Sequence, residues 1–105
     1  MAWLYLFVAG IFEIFFAASL RLSDNFTRLV PTLAFVLFSM LSFFMMSLSL
    51  AQIPLGTVYA VWTGIGAVGV SLVGVLLFGD PLEPLRFFFL TTLIASIIGL
   101  KLVSN

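Results

Sequence analysis

Four long hydrophobic stretches, separated by three short breaks rich in turn-forming residues, organise this chain. The stretches cover approximately residues 2–20, 29–50, 55–78 and 85–103. Each has close to the roughly 20 residues that an α-helix needs to cross the core of a bilayer. No charged residue occurs from Leu29 to Gly79, and this run is too long for one span. The uncharged break at Pro54 and Gly56 therefore separates two helices.

Helices are favoured over strands because a segment in lipid must satisfy its backbone hydrogen bonds internally. We therefore predict an all-α membrane protein in which residues 1–105 form a single four-helix transmembrane domain. The first and third loops would lie on one side of the membrane, and the N-terminus, second loop and C-terminus on the other. The first side carries Arg21, Arg28 and Arg86, whereas the second carries only Lys101. This small bias of basic residues favours insertion in both orientations, or pairing with an oppositely biased chain.

Composition supports the membrane assignment and excludes several functions. Hydrophobic residues make up 64% of the chain and charged residues only 8%, against about 25% charged in soluble domains. Zero net charge gives nucleic acid binding no electrostatic support. Without Cys or His, thiol catalysis and the usual zinc sites are excluded. No nucleophile–base pair or phosphate-binding loop is visible, so we expect neither an enzyme nor a bound metal or cofactor.

One literal motif match is misleading. The run from Gly64 to Gly69 has the glycine spacing of a dinucleotide-binding fingerprint. It lies inside a hydrophobic span, with no preceding strand and no βαβ unit, which that fingerprint requires. We interpret Gly64 and Gly66 as small residues that allow close helix packing or a kink.

Glu13 is the strongest candidate for function, because it is the only charged residue between Met1 and Leu20. A charge at the centre of a membrane helix costs roughly 2.5–3.5 kcal/mol on insertion scales, and such residues usually mark functional sites. No Lys or Arg lies within the membrane core to pair with it, which favours an exchangeable proton or cation. The alternative is a protonated, structural glutamate that is hydrogen-bonded to another helix.

Three further side chains are candidates for the same site. Tyr59 and Trp62 share one face of the third helix with Gly66 at 100° per residue. A Tyr hydroxyl and an indole N–H there would orient a carboxylate and stack on a cation, although both residue types also occupy membrane-interface belts. Ser42 lies on a loose polar stripe of the second helix; the alternative is a serine bonded to its own helix backbone.

These residues resemble the small multidrug resistance family of four-helix bacterial exporters, over essentially the whole chain. The run Ala9–Glu13 resembles the family's first-helix glutamate motif, and Gly56–Gly66 resembles its third-helix signature. Two runs, Trp62–Gly69 and Ile97–Lys101, resemble the guanidinium exporters more than the quaternary-ammonium exporters.

The resemblance implies a multi-pass protein of the bacterial inner (plasma) membrane that works as an antiparallel dimer. Two copies of Glu13 would share one central site and exchange protons for guanidinium or small substituted guanidinium cations. Ser42, Tyr59, Trp62 and Phe16 would give this site its polar and aromatic support. Guanidinium exporters usually carry Trp where this chain has Phe16, and a Phe keeps the ring face but lacks the N–H donor.

Several alternatives stay open at the level of sequence. The same fold would serve a broad exporter of quaternary-ammonium or polyaromatic cations. In another alternative, the chain is the non-transporting half of a heterodimer with a paired family member. Two further hypotheses are a structural or regulatory subunit and a passive channel.

Overall fold

The computed structural model describes residues 1–103 and contains four α-helices in this range: α1 (Ala2–Leu22), α2 (Leu29–Ser49), α3 (Leu55–Leu77) and α4 (Pro84–Val103). All four are long and apolar enough to cross a membrane. The all-α, four-helix fold class is therefore confirmed. The largest difference from the expected bounds is at the end of α1, which continues to Leu22. Ser23 stabilises this last turn, because its backbone N–H donates to the Ser19 carbonyl at 2.8 Å and its Oγ donates to the Leu20 carbonyl at 2.7 Å.

The helices pack around α1. This helix lies against both α2 and α3, which barely touch each other, and α4 packs mainly on α3. The buried hydrophobic core is small and comes mostly from α1 and α3; its members are Ala2, Leu6, Ala9, Ile53, Val58, Val61, Trp62 and Ile97. Most other large hydrophobic side chains are exposed, as expected where lipid rather than protein is the surrounding medium.

Glycines bring α3 close to its neighbours. A Cβ added at Gly10 of α1 would lie 2.6 Å from Cγ2 of Ile65 on α3. On α3, a Cβ at Gly69 would overlap Ile14, and one at Gly64 would lie 2.6 Å from Cδ1 of Ile97 on α4. Small residues let membrane helices approach closely enough for dispersion contacts to stabilise them. The α1–α3 contact is therefore tight at the depth where Glu13 lies.

The end of α1 and the third loop meet at one end of the bundle. The Arg21 guanidinium lies 3.5 Å from the Asp80 carboxylate and 4.6 Å from the centroid of the Phe78 ring. Both partners of the ion pair are partly exposed, so we attribute at most about 1 kcal/mol of stability to it. Its importance here is topological, since it joins the end of α1 to the loop between α3 and α4.

Candidate functional site

Glu13 extends from the middle of α1 toward α3. Its carboxyl group lies against Gly66, where an added Cβ would overlap it. The side chain is half-buried, but its Oε1 atom is fully buried and has no hydrogen-bond partner within residues 1–103. A buried, unpartnered oxygen costs free energy. The described part of the chain thus presents an acceptor that no second helix satisfies.

Ser42 connects all three helices that surround this position. Its hydroxyl donates to the Ala9 carbonyl of α1 at 2.7 Å and accepts from the Trp62 indole N–H of α3 at 2.9 Å. Ser42 is completely buried. Two other serines of α2, Ser39 and Ser49, instead donate to carbonyls of their own helix, which is the usual behaviour of a membrane serine.

The Ser42 bridge reaches the turn of α1 that carries Glu13. In an α-helix the carbonyl of residue i accepts from the N–H of residue i+4, so the Ala9 carbonyl belongs to the turn that ends at Glu13. Trp62 has one N–H and donates it to Ser42, so this N–H does not orient a carboxylate. The Trp62 indole therefore has only its ring to offer a ligand.

We predict that Ser42→Ala costs about 1–2 kcal/mol of stability, because it leaves the buried Trp62 N–H without an acceptor. Ser39→Ala is the matched control, since Ser39 bonds only to its own helix, and it should change stability little. Equilibrium unfolding of both variants in mixed micelles measures the difference. Equal stability of the two variants would show that the three-helix bridge contributes nothing.

Aromatic rings surround Trp62. Its ring centroid lies 6.4 Å from that of Phe16, 6.0 Å from that of Tyr59 and 5.6 Å from that of Phe43. Trp62 is itself nearly buried, whereas Tyr59 is 59% exposed. The rings from three helices thus form one continuous aromatic surface, which reaches from the bundle interior to its outside.

The structure brings most of the sequence candidates together. Ser42, Tyr59, Trp62 and Phe16 all belong to the bridge or to the aromatic surface, and Gly66 lies against Glu13. Gly64 is separate, because it faces Ile97 of α4.

The sequence interpretation missed Phe43 and the backbone carbonyl of Ala9. Phe43 follows Ser42 directly and is 50% exposed. Its position in the sequence does not distinguish it from the many phenylalanines that face lipid. A backbone acceptor has no sequence signal at all.

The arrangement suits a flat organic cation. A carboxyl group supplies the negative charge, and aromatic rings offer faces to which a delocalised cation is attracted. A guanidinium group also forms paired hydrogen bonds with a carboxylate. The Glu13 carboxyl group is the one to which either a proton or such a cation would bind.

Comparison with known proteins agrees with these features. The sequence model of the family described as "Small Multidrug Resistance protein" matches residues 1–93. A protein named "Guanidinium exporter" from Citrobacter freundii is 43% identical over 105 residues, which cover all of both chains. Proteins of the same name from Salmonella typhi and Proteus vulgaris are 40% and 42% identical, covering 100% and 99% of this chain and all of each relative.

Proposed function

Because this chain belongs to the small multidrug resistance family, we propose that it exports guanidinium or small substituted guanidinium cations in exchange for protons. In this proposal Glu13 is the shared site of proton and substrate, in a multi-pass protein of the bacterial inner membrane. The names of its relatives support the substrate class. The observation that carries the proposal is the buried Oε1 of Glu13, which has no hydrogen-bond partner within residues 1–103.

Competition for one carboxylate is sufficient to couple the two fluxes. A protonated Glu13 has no charge to offer a cation, and a guanidinium paired with Glu13 favours the ionised carboxylate over the protonated form. If the site opens to one side of the membrane at a time, each cation that leaves is replaced by protons. Coupling then needs differential binding of the two ligands and no additional switch.

The antiparallel dimer belongs to the same proposal. Three of the four basic residues lie in or beside the first and third loops, at one end of the bundle. This bias between the two ends is too small to fix one orientation. Two chains in opposite orientations would bring two copies of Glu13 to a common site. A pair of unequal chains, one of them this protein, would satisfy the same geometry.

The supporting residues have distinct roles in this proposal. Trp62 and Tyr59 offer ring faces to the cation, and Phe16 extends that surface on α1. Ser42 positions Trp62 and the Ala9 carbonyl rather than contacting the cation, because it is completely buried and its hydroxyl bonds to both of these groups. Substrate selectivity then depends on how tightly these rings enclose the volume beside Glu13.

A substrate panel tests the proposal. Purified protein in proteoliposomes that contain a pH-sensitive dye should move protons in response to guanidinium and methylguanidinium. Proton movement should be weak with tetrapropylammonium, a bulky cation that forms no hydrogen bonds. Cation flux without proton movement would instead indicate a passive channel, and absence of both fluxes would contradict transport by this chain alone.

One observation favours the second candidate, a broader exporter of quaternary-ammonium or polyaromatic cations. Phe16 packs edge-on to Phe35 at 5.7 Å and lies 6.2 Å from Phe43, so the surface near Glu13 includes several rings without hydrogen-bond donors. Such a surface accepts apolar substituents readily. In the same panel, equal or larger proton movement with tetrapropylammonium than with guanidinium would establish this candidate.

A further inference from the structure

A separate groove lies between α1, α3 and α4, away from the carboxyl group of Glu13. Its volume is about 360 Å³, and its wall includes Trp3, Phe7, Ile14, Ile65, Ile94 and Ile98. Lys101 is the one charged residue of the lining. The Lys101 ammonium lies 5.3 Å from the centroid of the Trp3 ring, so a cation and an amphipathic ring mark one end of an otherwise apolar groove.

The length of the groove matches one leaflet of a bilayer. Trp3 and Ile14 are eleven positions apart on α1, which corresponds to about 16 Å along a helix. The hydrocarbon core of a bilayer is about 30 Å thick, so the groove extends from the interface to about the midplane. That is the depth a single lipid acyl chain occupies, and Trp and Lys are residues that lie at headgroup level.

Charge distinguishes this end of the bundle from the other. The acidic side chains of the protein are Glu13 within α1, and Asp24, Asp80 and Glu83 in or beside the first and third loops. Lys101 therefore lies at the end without acidic side chains, and no ion pair to it is formed within residues 1–103. An anion at the membrane surface is the complementary partner.

We propose that this groove binds one anionic phospholipid, with an acyl chain along Phe7, Ile14 and Ile98 and its phosphate at Lys101. The apolar wall excludes a polar ligand, and the lysine at the interfacial end selects an anionic headgroup over a zwitterionic one. This site is independent of the transported cation. The lipid would fill the space between α1 and α4. Without it, α4 is held to the bundle mainly through α3.

Counting bound lipids by native mass spectrometry tests this proposal. The protein is purified and titrated with phosphatidylglycerol or phosphatidylcholine of the same chain length. We expect one tightly retained phosphatidylglycerol per chain and weak retention of phosphatidylcholine. Lys101→Gln should weaken phosphatidylglycerol binding about fivefold, since each basic residue near an anionic surface contributes about that factor, and Lys101→Arg should preserve it.

Two further variants separate this site from general effects. Arg28→Gln removes one positive charge at the start of α2, away from the groove, and should leave lipid retention unchanged. Ile98→Trp keeps Lys101 but fills part of the groove, so it should reduce retention. Equal binding to wild type and Lys101→Gln would overturn the proposal, as would equal retention of both lipids. If Ile98→Trp instead separates the dimer and leaves lipid binding intact, a second copy of the chain covers the groove and the proposal is wrong.

Discussion

Glu13→Gln is expected to abolish guanidinium-driven proton movement in proteoliposomes. The amide has nearly the same shape as the carboxylic acid, but it has neither a titratable proton nor a negative charge for a cation. Both fluxes should therefore disappear together. The measurement is the rate of acidification or alkalinisation on addition of guanidinium, compared with wild-type protein at the same density in the vesicles.

The same variant should fold at least as well as the wild type. Glu13 Oε1 accepts no hydrogen bond within residues 1–103, so the amide breaks no contact there. Replacing the carboxylate with an amide also avoids the roughly 2.5–3.5 kcal/mol cost of placing a charge in the membrane. Loss of transport with unchanged or increased stability in mixed micelles would therefore identify a functional rather than a structural role.

Asp80→Asn is the matched control, because it neutralises another carboxylate that lies at the membrane surface. Asp80 forms a partly exposed ion pair with Arg21 and lies against Gly74, and transport by this variant should remain close to wild type. Near wild-type transport by Glu13→Gln would contradict the assignment of the shared site. Equal loss in both variants would show that transport responds to any lost carboxylate.

The fold was accessible from sequence because its determinants are local. Span length, the charge-free run from Leu29 to Gly79 and turn residues at each break define four helices without any knowledge of packing. The end of α1 was harder to predict from the sequence. Its extension to Leu22 depends on hydrogen bonds from Ser23, and hydropathy contains no information on such capping.

The site could be predicted from the sequence only where the chemistry of a single residue identifies it. Glu13 is conspicuous because its charge is costly, and the shared face of Tyr59 and Trp62 follows from helical periodicity. The partners of these groups depend on how helices cross. That Ser42 donates to the Ala9 carbonyl while Ser39 does not is a consequence of α1 packing against one face of α2. Nothing in the spacing of the serines predicts it.

Gly66 illustrates the same limit. Sequence indicates a small residue for packing or a kink, whereas α3 is a continuous helix from Leu55 to Leu77 and Gly66 makes room for a carboxyl group. Because Gly66 on α3 has no side chain, the Glu13 carboxyl group on α1 can occupy the space beside it. Their relationship becomes visible only once both helices are placed.

Gly66→Ala should reduce transport strongly, because its Cβ would overlap the carboxyl group of Glu13. Either the carboxyl group rotates away or α1 and α3 separate. Overpacking of this kind costs about 1–3 kcal/mol, which corresponds to a loss of roughly fivefold to 150-fold in the population of the original arrangement. Transport rates at saturating guanidinium in proteoliposomes measure the effect.

Gly56→Ala is the matched control on the same helix. A Cβ at Gly56 meets no heavy atom within 4 Å, and alanine is favoured over glycine in a helix by about 1 kcal/mol. This variant should transport normally with equal or higher stability. A comparable loss in both glycine variants would indicate sensitivity to helix propensity rather than to the Glu13 contact.

A double-variant cycle separates a local clash from general separation of the helices. Glu13→Asp shortens the side chain by one methylene and leaves room for a Cβ at position 66. If the contact is local, Gly66→Ala should cost less transport in the Asp background than in the Glu background, since residues in direct contact are non-additive. An equal proportional loss in both backgrounds would place the damage in the α1–α3 packing around Ile14 and Ile65, and Gly66 would then have no specific relation to the carboxyl group.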